Sequence, residues 1–287
     1  MTINSNSIFH LIECPRDAMQ GWKRFIPTEK KIEYINTLLQ VGFDTIDFGS
    51  FVSAKAIPQM ADTSQVIKRL EVTNTKLLAI VANTRGAEEA VQYAAITYLG
   101  FPFSISETFQ QRNTRSSMQA SLQRVNEIYD LCIKHGKQLV IYISMGFGNP
   151  YGDIYNKEIV LKWVNEMVQI GIKIVSIADT VGIATAQRVE HILTALIPEF
   201  KGTEIGVHLH SKAAGWKQKC DAALQAGCRR FDGALKGFGG CPMAKDELVG
   251  NMDTELMIPY FEKLNLLSGL NKEALAKASQ LATEIFI

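Results

Sequence analysis

Three short apolar runs between residues 138 and 210 decide the fold: QLVIYIS at 138–144, IVSIADT at 174–180 and EIGVHLH at 204–210. Two amphipathic segments separate them, Lys157–Gln169 and Thr185–Leu196. Apolar runs that alternate with helical patterns are typical of βαβ units, in which consecutive strands are parallel. The stretch therefore predicts three parallel strands joined by two helices.

The same alternation extends along the rest of the chain. Eight runs qualify as strands, and eight parallel strands are the number that closes a TIM barrel. An open doubly wound sheet is the main alternative, but no G-x-G-x-x-G sequence follows the first run. We therefore predict an α/β fold, a (β/α)8 TIM barrel with an extra C-terminal helix. The predicted strands are Ile8–Cys14, Thr45–Phe48, Leu77–Ala82, Ile96–Phe103, Gln138–Ser144, Ile174–Ile177, Glu204–His208 and Arg230–Ala234.

Amphipathic patterns between the strands predict the helices, and a glycine or proline marks the end of each one. Two more helices are predicted in the tail, one that completes the barrel and one that packs outside it. We expect a single catalytic domain over 1–287, with the barrel at about 8–265 and the last helix at about 270–287. The main helical segments are Thr28–Val41 before Gly42, Ser116–His135 before Gly136, Lys157–Gln169 before Gly171, Thr185–Leu196 before Pro198, and Lys212–Gln225 before Gly227.

Composition and charge exclude several classes of protein. The formal net charge of +1 gives no global preference for nucleic acid. No apolar stretch has the roughly 18 residues that a membrane span needs. The five cysteines include no C-x-x-C pair, and their odd number argues against a disulfide framework. Because the first nine residues also lack a secretory signal pattern, we expect a reduced, cytoplasmic setting.

A set of metal-ligating side chains follows the predicted strands. His208 and His210 stand two residues apart, so in an extended strand both imidazoles point to the same face. On its own, a His-x-His sequence is explained equally well by two hydrogen-bonded histidines at a strand end that bind no metal. Asp17 after the first strand and Asn251 after a glycine-rich stretch add a carboxylate and an amide. This mixture suits Mg²⁺ or Mn²⁺, with Zn²⁺ or Co²⁺ as alternatives.

Cys241 stands apart from the other cysteines. A free cysteine is usually a small buried residue, and Cys132, Cys220 and Cys228 fit that description. Gly239 and Gly240 precede Cys241 and Pro242 follows it, which predicts a loop rather than core packing.

Several motifs together resemble the 3-hydroxy-3-methylglutaryl-CoA lyase family, part of the metallolyase barrels that include isopropylmalate synthase. The resemblance covers residues from about 8 to about 251, most of the chain. The Phe51 and Cys241 motifs are the specific ones, because the condensing synthases lack that cysteine loop. The motifs are Cys14-Pro15-Arg16-Asp17-Ala18-Met19-Gln20, Ser50-Phe51-Val52-Ser53, Pro58-Gln59-Met60, Ala178-Asp179-Thr180-Val181-Gly182, His208-x-His210 and Gly239-Gly240-Cys241-Pro242.

This resemblance implies a retro-Claisen cleavage of a 3-hydroxy-acyl-CoA, hydroxymethylglutaryl-CoA or a close analogue, to acetyl-CoA and a 3-oxo acid, within leucine catabolism. It implies that Arg16 faces the developing enolate charge and that Cys241 donates a proton. The implied metal ligands are Asp17, His208, His210 and Asn251. The implied catalytic residues are Arg16, Cys241, Asp47 and His208, and the substrate-binding residues are Arg16, Ser50, Asn83, Ser176 and Asp179.

Two other functions stay open. An acyl-CoA condensing synthase or a metal-dependent aldolase of the same superfamily would share the metal site, although the Cys241 loop speaks against the synthase. A non-catalytic metal-binding barrel is the third hypothesis, and the retained Arg16 and Cys241 argue against it. A homodimer paired through exposed helices is compatible with the resemblance.

The chain departs from the family pattern around the rim of the expected site. Asp47 replaces a glutamate, Ser211-Lys212 replaces Asp-Thr, and Met243–Leu248 is bulkier and more charged than usual. These departures leave the acyl-CoA substrate undefined.

Overall fold

The computed structural model describes residues 8–71, 73–212, 214–240 and 249–287. Within these residues, eight parallel strands close into a barrel in chain order, with β1 paired to both β2 and β8. The predicted TIM barrel is confirmed, and every strand begins and ends within two residues of its predicted bounds. The strands are β1 (His10–Glu13), β2 (Thr45–Ser50), β3 (Lys76–Ile80), β4 (Ile96–Ser104), β5 (Gln138–Ser144), β6 (Ile174–Ala178), β7 (Glu204–His208) and β8 (Arg230–Gly233).

Helices alternate with the strands, and two predicted helix bounds are wrong. Pro198 lies inside the last turn of α8 instead of beyond its end, because a proline there removes only one backbone hydrogen bond. The helix predicted from Lys212 begins at Trp216. The helices are α1 (Pro15–Gln20), α2 (Thr28–Leu39), α3 (Thr63–Ile67), α4 (Thr84–Ala90), α5 (Glu107–Thr114), α6 (Met118–Lys134), α7 (Lys157–Ile170), α8 (Ala186–Glu199), α9 (Trp216–Gln225), α10 (Thr254–Lys263) and α11 (Lys272–Phe286).

The inside of the barrel has an apolar half and a polar half. Side chains alternate along each strand, so every second residue points inward. An apolar cluster fills the half bounded by β3 to β6, and its members are Leu78, Ile80, Tyr98, Val140, Tyr142 and Ile174. The other half receives polar side chains, because the outward positions of β2, β7 and β8 are taken by Ile46, Phe48, Val207 and Phe231 of the outer core. Asp47, His208, Arg230 and Asp232 therefore point inward.

The predicted extra helix, α11, packs against α2 on the outside of the barrel. The Phe286 ring meets Trp22 and Tyr34 edge to face, with ring centroids 5.6 and 6.3 Å away. The Asn271 backbone N–H donates to the Val41 carbonyl at 2.9 Å, which joins the start of α11 to the end of α2. Among the helices of the described residues, none is both long and apolar enough to cross a membrane.

Candidate active site

Three predicted metal ligands meet at the carboxyl ends of the strands. His208 is the last residue of β7, His210 follows two residues later, and Asp17 lies in α1, just after β1. One ligand atom from each of the three lies within 4.8 Å of the others. The Nε2 atoms of the two imidazoles are 3.3 Å apart. The strand-end rule for TIM barrels therefore places these distant residues together, as the sequence predicts.

Asn251 joins the same group. It forms an isolated β-bridge with His210, and its Nδ2 donates to Asp17 Oδ2 at 2.7 Å and to the Phe238 carbonyl at 2.8 Å. Its Oδ1 is buried and accepts no hydrogen bond from the described residues. Buried carbonyl oxygens are rarely left without a partner. A carboxylate, two imidazoles and this amide oxygen form a donor set that fits a divalent cation.

The charges of the group also suit a cation. Burial raises the pKa of Asp17, but Arg16, the two histidines and Asn251 outweigh it and lower that pKa to about 2. Burial and, to a smaller extent, the neighbouring His208 lower the pKa of His210 to about 3. At neutral pH, Asp17 is thus a carboxylate and His210 a neutral imidazole, the forms that bind metals.

Asp232, which the sequence analysis missed, holds the other side of His208. Its Oδ2 lies 3.1 Å from His208 Nδ1, and its side chain is fully buried inside the barrel. Burial lowers the pKa of His208, but the hydrogen bond and charge of Asp232 outweigh it, so this pKa is raised. In the neutral ring that Asp232 orients, the proton is on Nδ1, and the Nε2 lone pair of His208 faces His210, where it can bind a cation. The sequence does carry a signal for Asp232. Side chains alternate along a strand, so if the apolar Phe231 faces the outer core, its neighbour Asp232 faces the inside of the barrel.

A second group of potential ligands shares His208 and Asp232 and adds Cys14. Burial raises the pKa of the Cys14 thiol well above its ordinary value, and nearby carboxylates add to the effect. Metals bind the thiolate form of cysteine. The group of Asp17, His208 and His210 is therefore the better candidate.

Arg16 links the metal ligands to Asp47. Its Nη1 donates to Asp17 Oδ1 at 2.8 Å, and its Nε donates to the two oxygens of Asp47 at 3.2 and 3.0 Å. Burial raises the pKa of Asp47 to about 6, although Arg16 opposes the rise. Gln20 donates to Asp17 Oδ1 at 2.8 Å, a second contact that the sequence analysis missed. The guanidinium is thus fixed beside the ligand group.

Two of the predicted substrate-binding residues use their side chains in the βα loops. Ser50 Oγ accepts from the Val52 backbone N–H at 3.2 Å, and the residue is buried. Asn83 is exposed and caps α4, because its Oδ1 accepts from the Gly86 N–H at 2.9 Å. Their roles in substrate binding stay predictions.

The other two predicted substrate-binding residues are Ser176, which lies below the ligand group, and Asp179, which lies beside it. Asp179 is buried and accepts from the Ala184 N–H at 2.9 Å and from Lys219 Nζ at 3.0 Å, which occupies both of its oxygens. Ser176 lies inside the barrel, and in the β6–β7 register it pairs with Gly206, one inward position below His208. The contacts of Asp179 are those of a residue that fixes loops, and its predicted contact with substrate stays untested.

Cys241 and residues 243–248 lie outside the described residues, so the predicted proton donor has no described position. The start of its loop is described and touches the ligand group. A Cβ on Gly239 would lie 2.5 Å from Asn251 Nδ2 and 2.8 Å from the Asp17 carbonyl oxygen. Gly239 also has φ +101°, a conformation that favours glycine. Only a glycine fits between the loop and the ligands here.

Comparison with known proteins assigns the family. Residues 11–282 match the model of the HMGL-like family, which spans nearly the whole chain. The chain belongs to the HMGL-like family. The predicted resemblance is therefore confirmed, and the four candidate ligands, Arg16 and Asp47 all lie inside the matched part of this HMGL-like chain.

Several relatives of this HMGL-like protein are named as lyases. The hydroxymethylglutaryl-CoA lyase of Bacillus subtilis is 32% identical over 271 residues, which cover 94% of this chain and 90% of that protein. A Pseudomonas aeruginosa lyase named for 3-hydroxy-3-isohexenylglutaryl-CoA and hydroxymethylglutaryl-CoA is 31% identical, over 93% of this chain and 88% of that protein. An HMG-CoA lyase from Acinetobacter baumannii, solved with coenzyme A and 3-methylmalate, superposes with a TM-score of 0.90 at 30% identity. That superposition covers 100% of this chain and 93% of the other.

Proposed function

We propose that this protein is a divalent-metal-dependent carbon–carbon lyase. It cleaves a 3-hydroxy-acyl-CoA, hydroxymethylglutaryl-CoA or a close analogue, to acetyl-CoA and a 3-oxo acid. The observation that carries the proposal is the convergence of Asp17, His208 and His210 beside the Arg16 guanidinium. The Asn251 oxygen, which accepts no hydrogen bond from the described residues, lies in the same group. The names of the relatives support the same reaction.

The cation would be held by those four residues. A bound divalent cation supplies Lewis acidity, which makes a hydroxyl or carbonyl oxygen of the substrate easier to ionise or polarise. Oxygen donors from Asp17 and Asn251 favour Mg²⁺ or Mn²⁺, while the two imidazole nitrogens keep Zn²⁺ and Co²⁺ as alternatives. Asp232 fixes the ring of His208, and Gln20 and Asn251 fix the carboxylate of Asp17.

Cleavage needs a base for the 3-hydroxyl and a group that stabilises the enolate. Asp47 is the candidate base, because its pKa of about 6 is close to the value that suits general base catalysis near neutral pH. His208 acts instead as a metal ligand, since its Nδ1 contacts Asp232 and its Nε2 faces the proposed cation. As the bond between C2 and C3 breaks, its electron pair moves toward the thioester carbonyl. Arg16 stabilises that negative charge, and one such fixed donor is worth about 3–4 kcal/mol. Cys241 is the expected donor of the proton that converts the enolate to acetyl-CoA.

Two observations favour lyase over the alternatives. The relatives described above are named lyases rather than condensing synthases or aldolases. The structure keeps Arg16 paired with Asp47 and Asp17 in buried contacts, which a barrel used only for metal binding does not require. Neither alternative has an observation of its own in its favour.

The decisive experiment uses the purified protein with Mg²⁺ or Mn²⁺ and a panel of 3-hydroxy-acyl-CoA thioesters. The panel includes hydroxymethylglutaryl-CoA and analogues with longer apolar groups on C3, because the rim departs from the family pattern. We expect acetyl-CoA, detected by mass spectrometry, from at least one member and only with added metal. If no thioester yields acetyl-CoA while the protein binds metal, the proposed reaction is wrong.

Finer features of the function stay proposals. A cytoplasmic location can be tested by cell fractionation, and a place in leucine catabolism by growth of a deletion strain on leucine. The homodimer can be tested by light scattering of the purified protein. A single catalytic domain over 1–287 predicts one cooperative unfolding transition.

A further inference from the structure

A buried arginine inside the barrel donates no side-chain hydrogen bond to the residues that the structure describes. Arg230 is the first residue of β8, points inward and is only 1% exposed. None of its three side-chain nitrogens donates a hydrogen bond to any described residue, and its ion-pair contact with Glu204 spans 3.7 Å. A guanidinium carries five N–H donors, and leaving them unsatisfied in a buried site is costly. Other acceptors must therefore be present around it.

Gly206 makes room for this side chain. A Cβ on Gly206 would lie 2.7 Å from Arg230 Cδ and 2.8 Å from its Cγ, so the arginine lies directly over the glycine. Gly206 of β7 pairs with Ser176 of β6, which in turn pairs with Tyr142 of β5. The arginine therefore crosses β7 inside the barrel, in the layer that Ser176 and Tyr142 share.

Among the described residues, the same chamber contains three more polar side-chain atoms that form no hydrogen bond. Tyr142 Oη, Ser176 Oγ and Asp232 Oδ1 are all buried and bond no described residue. Burial lowers the pKa of Arg230, but Asp232, Tyr142 and Glu204 outweigh it, so the guanidinium stays charged. Among the described residues, the chamber therefore contains both hydrogen-bond donors and hydrogen-bond acceptors that have no protein partner. Buried water molecules are retained where they can bond to such groups.

We propose that Arg230, Tyr142, Ser176 and Asp232 bind ordered water molecules inside the barrel, and that this hydrated cluster positions Asp232 against His208. Asp232 Oδ2 already contacts His208 Nδ1 at 3.1 Å, so water bonded to Oδ1 and to the guanidinium fixes the carboxylate from its other side. Arg230 is then a positioning residue that acts through Asp232. This role rests on the proposed function, because it takes His208 as a metal ligand.

The first test looks for the water directly. A crystal structure of the full chain at a resolution that shows ordered solvent should contain water within hydrogen-bonding distance of both the Arg230 guanidinium and Asp232 Oδ1. A chamber without solvent density, or one in which the guanidinium has moved to a protein acceptor, overturns the proposal.

The second test measures Mn²⁺ binding by calorimetry in Arg230→Met and in a matched control, Arg229→Met. Arg229 is the preceding residue, and its Nη1 donates to the backbone carbonyls of Leu224 and Cys228 instead. Loss of a group that orients a metal ligand commonly weakens binding about tenfold or more. We expect that loss for Arg230→Met, partial recovery in Arg230→Lys and unchanged affinity in Arg229→Met.

Two further measurements separate a positioning role from a structural one. The ¹⁵N chemical shifts of His208 should report the Nδ1-protonated ring in the metal-free wild type and a mixture of tautomers in Arg230→Met. Gly206→Ala, which displaces the arginine without removing its charge, should weaken Mn²⁺ binding as well. Wild-type affinity and ring tautomer in Arg230→Met overturn the positioning role alone, whereas a wild type that binds no Mn²⁺ overturns the proposed function.

Discussion

Glu13 allows a sharp test of how the carboxyl end of the barrel is held together. It is fully buried, and its two oxygens accept from the Leu235 N–H at 2.8 Å and from the Thr254 hydroxyl at 2.6 Å. These two residues lie at opposite ends of the segment that carries Asn251 and Cys241. Burial raises the pKa of Glu13 from 4.5 to about 8, and the two hydrogen bonds only partly oppose the rise.

The sign of the pH effect follows from proton binding. Below pH 4.5 the carboxyl is protonated in both the folded and the unfolded chain, so pH has little effect through this group. Between pH 4.5 and about 8 the folded chain keeps a proton that the unfolded chain has lost. Stability therefore falls as pH rises through this window. The difference between the two pKa values corresponds to at most roughly 5 kcal/mol above pH 8.

Glu13→Gln removes the ionisation and keeps the shape. The glutamine carbonyl can accept from the Leu235 N–H, and its amide can donate to the Thr254 hydroxyl. We expect the free energy of unfolding, measured in urea, to fall less between pH 5 and pH 9 in Glu13→Gln than in the wild type. The difference should amount to several kcal/mol at pH 9.

Glu88→Gln is the matched control, because Glu88 is exposed on α4 and should follow the wild-type profile. Asp253 and Glu255 also lie near Glu13, but both remain in the variant and so cancel in the comparison. Parallel stability profiles for wild type and Glu13→Gln would refute the reasoning.

Three other predictions concern the ligand group and its loop. His208→Ala should abolish Mn²⁺ binding measured by calorimetry, whereas His191→Ala, at an exposed site on α8, should leave it intact. Stoichiometric Mn²⁺ binding by His208→Ala would show that the ligand set is wrong. Cys241→Ala should bind Mn²⁺ like the wild type but form acetyl-CoA at least about a hundredfold more slowly, as expected for loss of a proton donor. An unchanged rate would show that Cys241 is not the proton donor. Gly239→Ala should weaken Mn²⁺ binding at least about tenfold, because its Cβ displaces Asn251 and Asp17. Gly202→Ala is the control, since a Cβ at Gly202 meets no atom within 4 Å, and it should leave the affinity unchanged. Equal affinities in the two variants would contradict the close fit of the loop.

The strand pattern was sufficient to predict the barrel, because apolar runs and amphipathic segments alternate at the periods of strand and helix. Helix ends were less predictable. Pro198 was expected beyond the helix but lies inside α8, since a proline near the end of a helix costs one hydrogen bond rather than the whole turn. Local signals of this kind compete with packing, and the sequence does not show which of the two dominates.

The convergence of His208, His210, Asp17 and Asn251 was predictable because a closed parallel barrel brings all its strand ends to one rim. Asp232 is not among the predicted residues, because those follow the ends of the strands, whereas this carboxylate lies within β8 and faces inward. The pairing of Gly206 with Arg230 is visible only in three dimensions. A glycine in an apolar strand suggests a close approach, but the sequence does not identify the side chain that makes it.

The ligand group is arranged to bind a cation at the expense of the metal-free fold. The Asn251 carbonyl oxygen is buried and accepts no hydrogen bond from the described residues, so its burial is unfavourable until a cation binds its lone pair. Cation binding to the folded state alone should therefore stabilise the protein, because the ion gives the Asn251 oxygen a partner as well as adding new contacts. A thermal midpoint that does not rise with Mn²⁺ concentration would show that the four donors do not bind the ion together.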